Sequence, residues 1–248
     1  MERVELHFHL LPGVDDGPRD LTGALELARA AVADGTGTIT CTPHAHQIDF
    51  VEIPARVRRL QAALDGADID LEVLGGSELM WRDVDGLDDE ALDSVAQGPT
   101  DRRWLLLEAP LPGTGPLAPF EATARELRSR GFGLLIGHPE RSPDLMAVPA
   151  AVDRLLAAGD RLQVNGSSLI GYHGAAPRDR ALALVRSGRV AVIASDAHQP
   201  VDRGPTLSRA VAALREHGVA REDAERLVSA GPRALLDHGI APARRLAA

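Results

Sequence analysis

Short apolar runs alternate along this chain with longer stretches whose apolar residues recur at helical spacing. The runs occupy residues 3–8, 36–42, 70–75, 104–109, 133–137, 161–164 and 189–194. TGTITC, WLLLEA and RVAVIAS are apolar on both strand faces, the pattern of a parallel strand covered by helices. After the first run, Leu21, Leu25, Ala28 and Val32 predict a helix with Asp20 or Thr22 as N-cap and Gly35 as its stop. Further helical stretches fall at 118–129, 149–158, 178–187, 206–216 and 221–227. Seven strands with intervening helices predict an α/β protein, a distorted TIM-like (β/α)7 barrel forming one domain over residues 1–248. An open doubly wound sheet is the competing arrangement.

The polar residues give the barrel its meaning, because they gather where the runs end. Run one closes on His7 and His9, run two on TPHAH with His44 and His46, run three on Glu78, and run four on Glu108. Run five closes on GHPER with His138, Glu140 and Arg141, run six on Asn165, and run seven on ASDAH with Asp196 and His198. The C-terminal ends of barrel strands converge on one mouth, the place where such folds build their sites. So many imidazoles and carboxylates in one mouth would repel or stay unpaired without cations, and they are ligands that suit Zn, Mn or Fe. HxH at 7–9 and DxH at 196–198 strengthen the reading, since alternate strand residues share a face. The other polar residues read differently. His217 and His238 are expected to be surface residues of the C-terminal helical region, His173 a loop residue, Glu5 and Asp83 solvated, and Cys41 core.

Composition narrows the function classes. The formal net charge is −9 and aromatics are only 3%, so both the positive field and the stacking platforms that nucleic acid needs are lacking. No run of 18 apolar residues is present, so no membrane insertion is expected. With one cysteine and no basic-then-apolar leader, the expected compartment is the cytoplasm.

The motif HFHLLPGVDDGP, with His7, His9, Asp15, Asp16, Gly17 and Pro18, resembles the opening of the PHP (polymerase and histidinol phosphatase) superfamily. It is most similar to the CpsB/YwqE-type tyrosine phosphatases of capsule and exopolysaccharide operons. TPHAH resembles that branch's TPHHH, GSELMW stands where its bridging glutamate lies, and WLLLEAP resembles YVLLEFP. GHPER resembles AHPER, LQVNGSSLIGYHG resembles LQINAGSLLG, and ASDAH resembles SDAH or SDMH. The resemblance implies a PHP fold and a three-metal cluster, usually described with manganese, though iron or zinc can occupy such sites. His7, His9, Glu78 and Asp196 would hold one ion. Glu78 would bridge to a second, completed by Glu108 and His138. Asp16, His44 and His198 would hold the third, with Asp15 the alternative to Asp16.

Three divalent cations against the carboxylates of Asp16, Glu78, Glu108 and Asp196 leave a cluster near +2, suited to a phosphate dianion. Arg141 and Arg203 are expected to add contacts to phosphate oxygens. A water activated by metal would be the nucleophile, and His46 or His198 would donate to the leaving group. A cysteine phosphatase would place arginine six positions after its cysteine, but Gln47 stands there after Cys41. No GxxxxGK[ST] phosphate loop is present.

The expected activity is therefore phosphotyrosine hydrolysis. The resemblance implies that the partner is the tyrosine-rich tail of a bacterial kinase. The rivals are a small-molecule phosphatase of the histidinol phosphatase kind, a metal-binding regulatory module without turnover, and an amidohydrolase. The last is disfavoured because no bridging lysine is apparent.

Overall fold

A computed structural model describes residues 2–241. Eight strands run in chain order: β1 (Arg3–Phe8), β2 (Thr36–Cys41), β3 (Glu72–Gly75), β4 (Glu78–Leu79), β5 (Trp104–Glu108), β6 (Gly133–Gly137), β7 (Arg161–Asn165) and β8 (Val190–Ala194). The helices between and after them are α1 (Leu21–Ala33), α2 (Ile53–Gly66), α3 (Asp89–Val95), α4 (Leu117–Ser129), α5 (Pro143–Met146), α6 (Pro149–Ala157), α7 (Gly166–Leu169), α8 (Ala175–Arg186), α9 (Leu207–Glu216), α10 (Arg221–Arg226) and α11 (Ala230–His238). Every pairing between strands is parallel, in the orders β1-β2-β3 and β4-β5-β6-β7-β8.

The two sheets meet at both ends. Phe8 bridges Ala197, and His44 bridges Glu78, each in parallel sense. The Asp196 N–H donates to the His7 carbonyl and the Glu78 N–H to that of Pro43. Val4 and Leu6 of β1 share one apolar cluster with Trp104 and Leu106 of β5, Leu135 of β6, and Val192 and Ala194 of β8. Leu235 and Ile240 join the same cluster. Strands from both sheets thus enclose a common interior, as in a distorted barrel.

The difference from the predicted seven strands lies in β4. Its two residues are too short to make a run, so they read in sequence as the tail of run three. Pro43, Ser77 and Gly76 make the break: the Gly76 N–H bonds back to Cys41, and the Ser77 hydroxyl to the Pro43 carbonyl. Glu78 therefore starts a new strand beside β5.

Helix α1 begins at Asp20, whose side chain accepts from the Gly23 N–H, and the chain leaves it through Gly35 at φ +90. Its buried face is Ala24, Leu27, Ala28 and Ala31, rotated from the predicted stripe: Leu21 is 45% exposed and Val32 also stands out. Small alanines let α1 sit close to the sheet, and a pattern read from the larger residues misses that. Helices α2, α3, α5, α7 and α11 lie outside the predicted stretches. The buried face of α2, Ile53, Leu60 and Leu64, is diluted by arginines. Outside the barrel, one large cluster lies under α3 to α9 and a second under α1 and α2. Among the described residues no helix is long and apolar enough to cross a membrane.

Candidate metal centre

The alternation of strand side chains carries the polar residues to the top of the interior. In β5, Trp104, Leu106 and Glu108 share a face, so the apolar row ends in a carboxylate. In β7, Gln163 and Asn165 share a face and carry two amides toward the same end. The chain then bends sharply at two of the expected ligands. His138 has φ +33 and Asp196 φ +52, and only one other described non-glycine residue, Asp68, has positive φ. Such conformations cost on the order of 1–3 kcal/mol each and gather at functional sites.

Glu78 is the hub. One of its oxygens lies 3.2 Å from His7 Nε2 and 3.1 Å from His138 Nε2. The other lies 3.4 Å from His9 Nε2 and 3.0 Å from His44 Nδ1. Asp196 Oδ1 stands 3.5 Å from the Nε2 atoms of both His7 and His9. Asp16 Oδ1 lies 3.3 Å from His44 Nε2 and 3.0 Å from His198 Nε2. Three compact ligand sets result: His7 with His9 and Asp196; His7 with Glu78 and His138; and His9 with Asp16, His44 and His198. Glu108 stands at the edge, 3.7 Å from His138 Nε2, and enters none of the three.

These residues fit divalent cations better than they fit each other. His7 Nε2, His9 Nε2, His44 Nδ1 and one Glu78 oxygen are buried and make no hydrogen bond, although carboxylates and imidazoles crowd them. Buried polar atoms are almost always partnered. A cation among them removes the deficit. The electrostatics agree. Burial, and then the neighbouring Glu78 charge, pushes the Glu108 carboxyl up to about 8. Burial disfavours charge on Asp16, but hydrogen bonds with His198 and His44 outweigh it and hold its carboxyl far below the usual range.

A further ring of residues orients the ligands, as metal sites require. Asp15 Oδ2 lies 2.7 Å from His9 Nδ1 and accepts the His44 N–H at 3.1 Å. Asp15 thus aims two candidate ligands while Asp16 faces the third set, which separates the two neighbours that sequence left open. Gln163 Oε1 is 3.1 Å from His7 Nδ1, and the Asn165 amide donates to Asp196 at 2.8 Å. Asn165 was singled out in the sequence as the end of its run, and Gln163 could have been found from its alternation with Asn165 in LQVN. Glu140, buried beneath, accepts from the Asn165 N–H and the Ser168 hydroxyl.

Two expectations are corrected here. Glu5, expected to be solvated, is fully buried below the site and bonded to Ser195. Burial pushes its carboxyl up to about 8, a level its Ser195 bonds only moderate. The Asp83 side chain is also mostly buried, where it accepts the Met80 N–H.

The arginines stand at the mouth. Arg141 donates to Asp196 at 3.0 Å, and Arg203 to Asp16 at 2.7 Å. A second Arg203 nitrogen is 2.9 Å from His198 Nε2. His46 is half-exposed at the rim, its ring 5.6 Å from that of His44 and its Nδ1 3.9 Å from Asp83. Cys41 is buried, and burial pushes its thiol up, the opposite of what a nucleophile needs. His173, expected to be a plain loop residue, lines a pocket that also includes Asp196 and Arg203.

A model of the family described as capsular polysaccharide synthesis, CpsB/CapC, matches residues 3–237. Tyrosine-protein phosphatase YwqE of Bacillus subtilis is 32% identical over 199 residues, 79% of this chain and 77% of that one. A putative tyrosine-protein phosphatase CapC of Staphylococcus aureus is 27% identical over 208 residues, covering 81% and 78%. A crystal structure from the work on YwqE and on CpsB of Streptococcus pneumoniae, which calls them metal-dependent tyrosine phosphatases, aligns with a TM-score of 0.79 at 26% identity. That alignment covers 98% of this chain and 100% of the other. An organophosphorus hydrolase variant from Deinococcus radiodurans shares the fold at a TM-score of 0.59 and 17% identity. Matched along nearly its whole described length, the chain belongs to the CpsB/CapC family of capsular polysaccharide synthesis.

Proposed function

We propose that this protein is a metal-dependent phosphomonoester hydrolase that removes phosphate from phosphotyrosine in a protein substrate. The observation that carries the reading is the Glu78 hub. Four imidazole nitrogens converge on one buried carboxylate, and three of the four lack hydrogen bonds. The similarity to YwqE, a tyrosine-protein phosphatase, supplies the substrate class.

His7, His9, Glu78 and Asp196 would hold one ion, Glu78, Glu108 and His138 a second, and Asp16, His44 and His198 a third. Manganese is the proposed metal. Bound divalent cations would polarise phosphoryl oxygens and make a water acidic enough to attack phosphorus near neutral pH. The protein's own side chains do the rest. Arg141 and Arg203 meet the phosphoryl oxygens from the open side, exchanging their present carboxylate partners for the dianion. Asp15, Gln163 and Asn165 keep His9, His7 and Asp196 in place, so little reorganisation is needed when substrate arrives. His46, the half-exposed imidazole at the rim, is proposed to hand a proton to the departing oxygen. The partner would be the phosphorylated tail of a bacterial tyrosine kinase, met in the cytoplasm.

The test compares phosphate release from a phosphotyrosine peptide with release from histidinol phosphate, using manganese-loaded protein. Release from the peptide at the higher kcat/KM supports the reading. Release from histidinol phosphate alone replaces it with a small-molecule phosphatase.

A further inference from the structure

Beside the cluster lies a pocket of 310 Å³ whose lining includes Asp196 and Arg203. Its size is at the small end of the range for ligand sites, about 300–1,000 Å³. Its lining is mixed: Ile170, Tyr172, Pro200, Val201 and Pro205 supply apolar surface, and Asp202 and Arg209 are among the polar side chains. Only six large apolar side chains stand exposed among the described residues, and two of them, Tyr172 at 55% and Val201 at 86%, line this one pocket. Exposed apolar surface beside a polar site is a mark of ligand binding.

Both walls are held in place. The Tyr172 ring meets His173 edge-on, with centroids 5.1 Å apart and planes at 90°. His173 Nε2 lies 3.0 Å from the Ser167 hydroxyl of α7, and the Tyr172 N–H donates to the Ser167 carbonyl at 3.0 Å. In the loop that carries Val201, the His198 and Gln199 N–H groups both donate to the Arg203 carbonyl, at 2.8 and 3.3 Å. That loop is tight enough that a Cβ on Gly204 would fall 2.7 Å from the Pro200 carbonyl oxygen.

We infer that this pocket is the seat of the aromatic ring of an aryl phosphate, with Tyr172 and Val201 as the residues that set preference for aryl over alkyl esters. The inference rests on the phosphatase reading above. A phosphoryl group held by Arg203 beside the cluster would bring its alcohol portion to the pocket that Arg203 lines. A phenyl ring covers the apolar walls, whereas a one-carbon alkyl group leaves them wet. Val201 and Tyr172 are specificity residues here; neither touches the reacting phosphorus.

The experiment measures binding without turnover. Manganese-loaded protein is titrated calorimetrically with phenylphosphonate and with methylphosphonate. Wild-type protein should bind the phenyl compound about tenfold more tightly or better, the return expected for burying one ring. The Tyr172→Ala, Val201→Ser double variant should lose most of that ratio while its affinity for methylphosphonate stays unchanged, which also shows that the site is intact. Tyr172→Phe should keep the ratio, and kcat/KM for a phosphotyrosine peptide should follow the same order. Equal wild-type affinity for the two compounds, or a ratio that survives in the double variant, overturns the inference. If metal-loaded wild-type protein binds neither phosphonate nor inorganic phosphate, the phosphatase reading itself fails and this inference falls with it.

Discussion

Replacing Glu78 with glutamine tests the hub most sharply, because it keeps the volume and removes only a charge. The side chain is 2% exposed, so an alanine would add a cavity cost that glutamine avoids. Its two oxygens stand 3.0 to 3.4 Å from nitrogens of His7, His9, His44 and His138. In the variant, an amide group would occupy one of those positions and could not bind a cation through nitrogen. Substituting a residue that merely orients a metal ligand costs about 10–100-fold in metal affinity. Glu78 touches members of all three ligand sets, so the loss should be about 100-fold or more, roughly 2.7 kcal/mol. Metal retained after gel filtration, read by mass spectrometry, should fall sharply. Phosphotyrosine peptide turnover at limiting manganese should fall by at least the same factor. A far-UV circular dichroism spectrum matching wild type would show that the fold survives. Undiminished metal content and turnover in Glu78→Gln would refute the reasoning.

Three more outcomes are expected. Asp15→Asn should lower metal affinity by about 10–100-fold, as an orienting residue does, whereas Asp16→Asn should cost the third set one equivalent of metal; the same loss in both would mean that the two roles are not separate. Arg203→Ala should raise the inhibition constant for inorganic phosphate about tenfold, near the lower limit for one charge-assisted hydrogen bond, with metal content intact; metal loss would mean that Arg203 holds the site together rather than the substrate. Glu5 should make stability pH-dependent. Its carboxyl titrates near 8 in the folded protein and near 4.5 in the unfolded chain, so folding holds a proton that unfolding releases. Its contribution is then present below about pH 4.5 and is lost as pH rises toward 8, at no more than about 1.4 kcal/mol per pH unit. Glu108, raised to about 8 as well, adds to the same pH dependence, so Glu5→Gln should make the slope shallower in urea melts between pH 5 and 8.5, and an unchanged slope would contradict the assignment.

The strand ends were legible in the sequence because a parallel strand carries a plain signal: an apolar run, then polar residues where it surfaces. That signal placed His7, His9, His138, Asp196 and His198 at the ends of their strands. It failed at β4, whose two residues make no run, although Glu78 itself was singled out. It failed differently at Glu5. A lone carboxylate in an apolar strand reads as solvated, and only the Ser195 partner, 190 positions away, explains its burial. Asp15 and Asp16 look identical in sequence; the contacts of His9 and His198 tell them apart. The pocket beside the cluster had no sequence signal, since Tyr172 and Val201 come to line it together only through the fold.

The central claim is that the cluster at the barrel mouth makes this chain a metal-dependent phosphatase. Phosphate release from a phosphotyrosine peptide, measured on metal-stripped protein before and after manganese is restored, tests it most directly. The account predicts no release from the stripped protein and recovery on adding back the metal. Release that persists without metal, or silence with metal demonstrably bound, would contradict it.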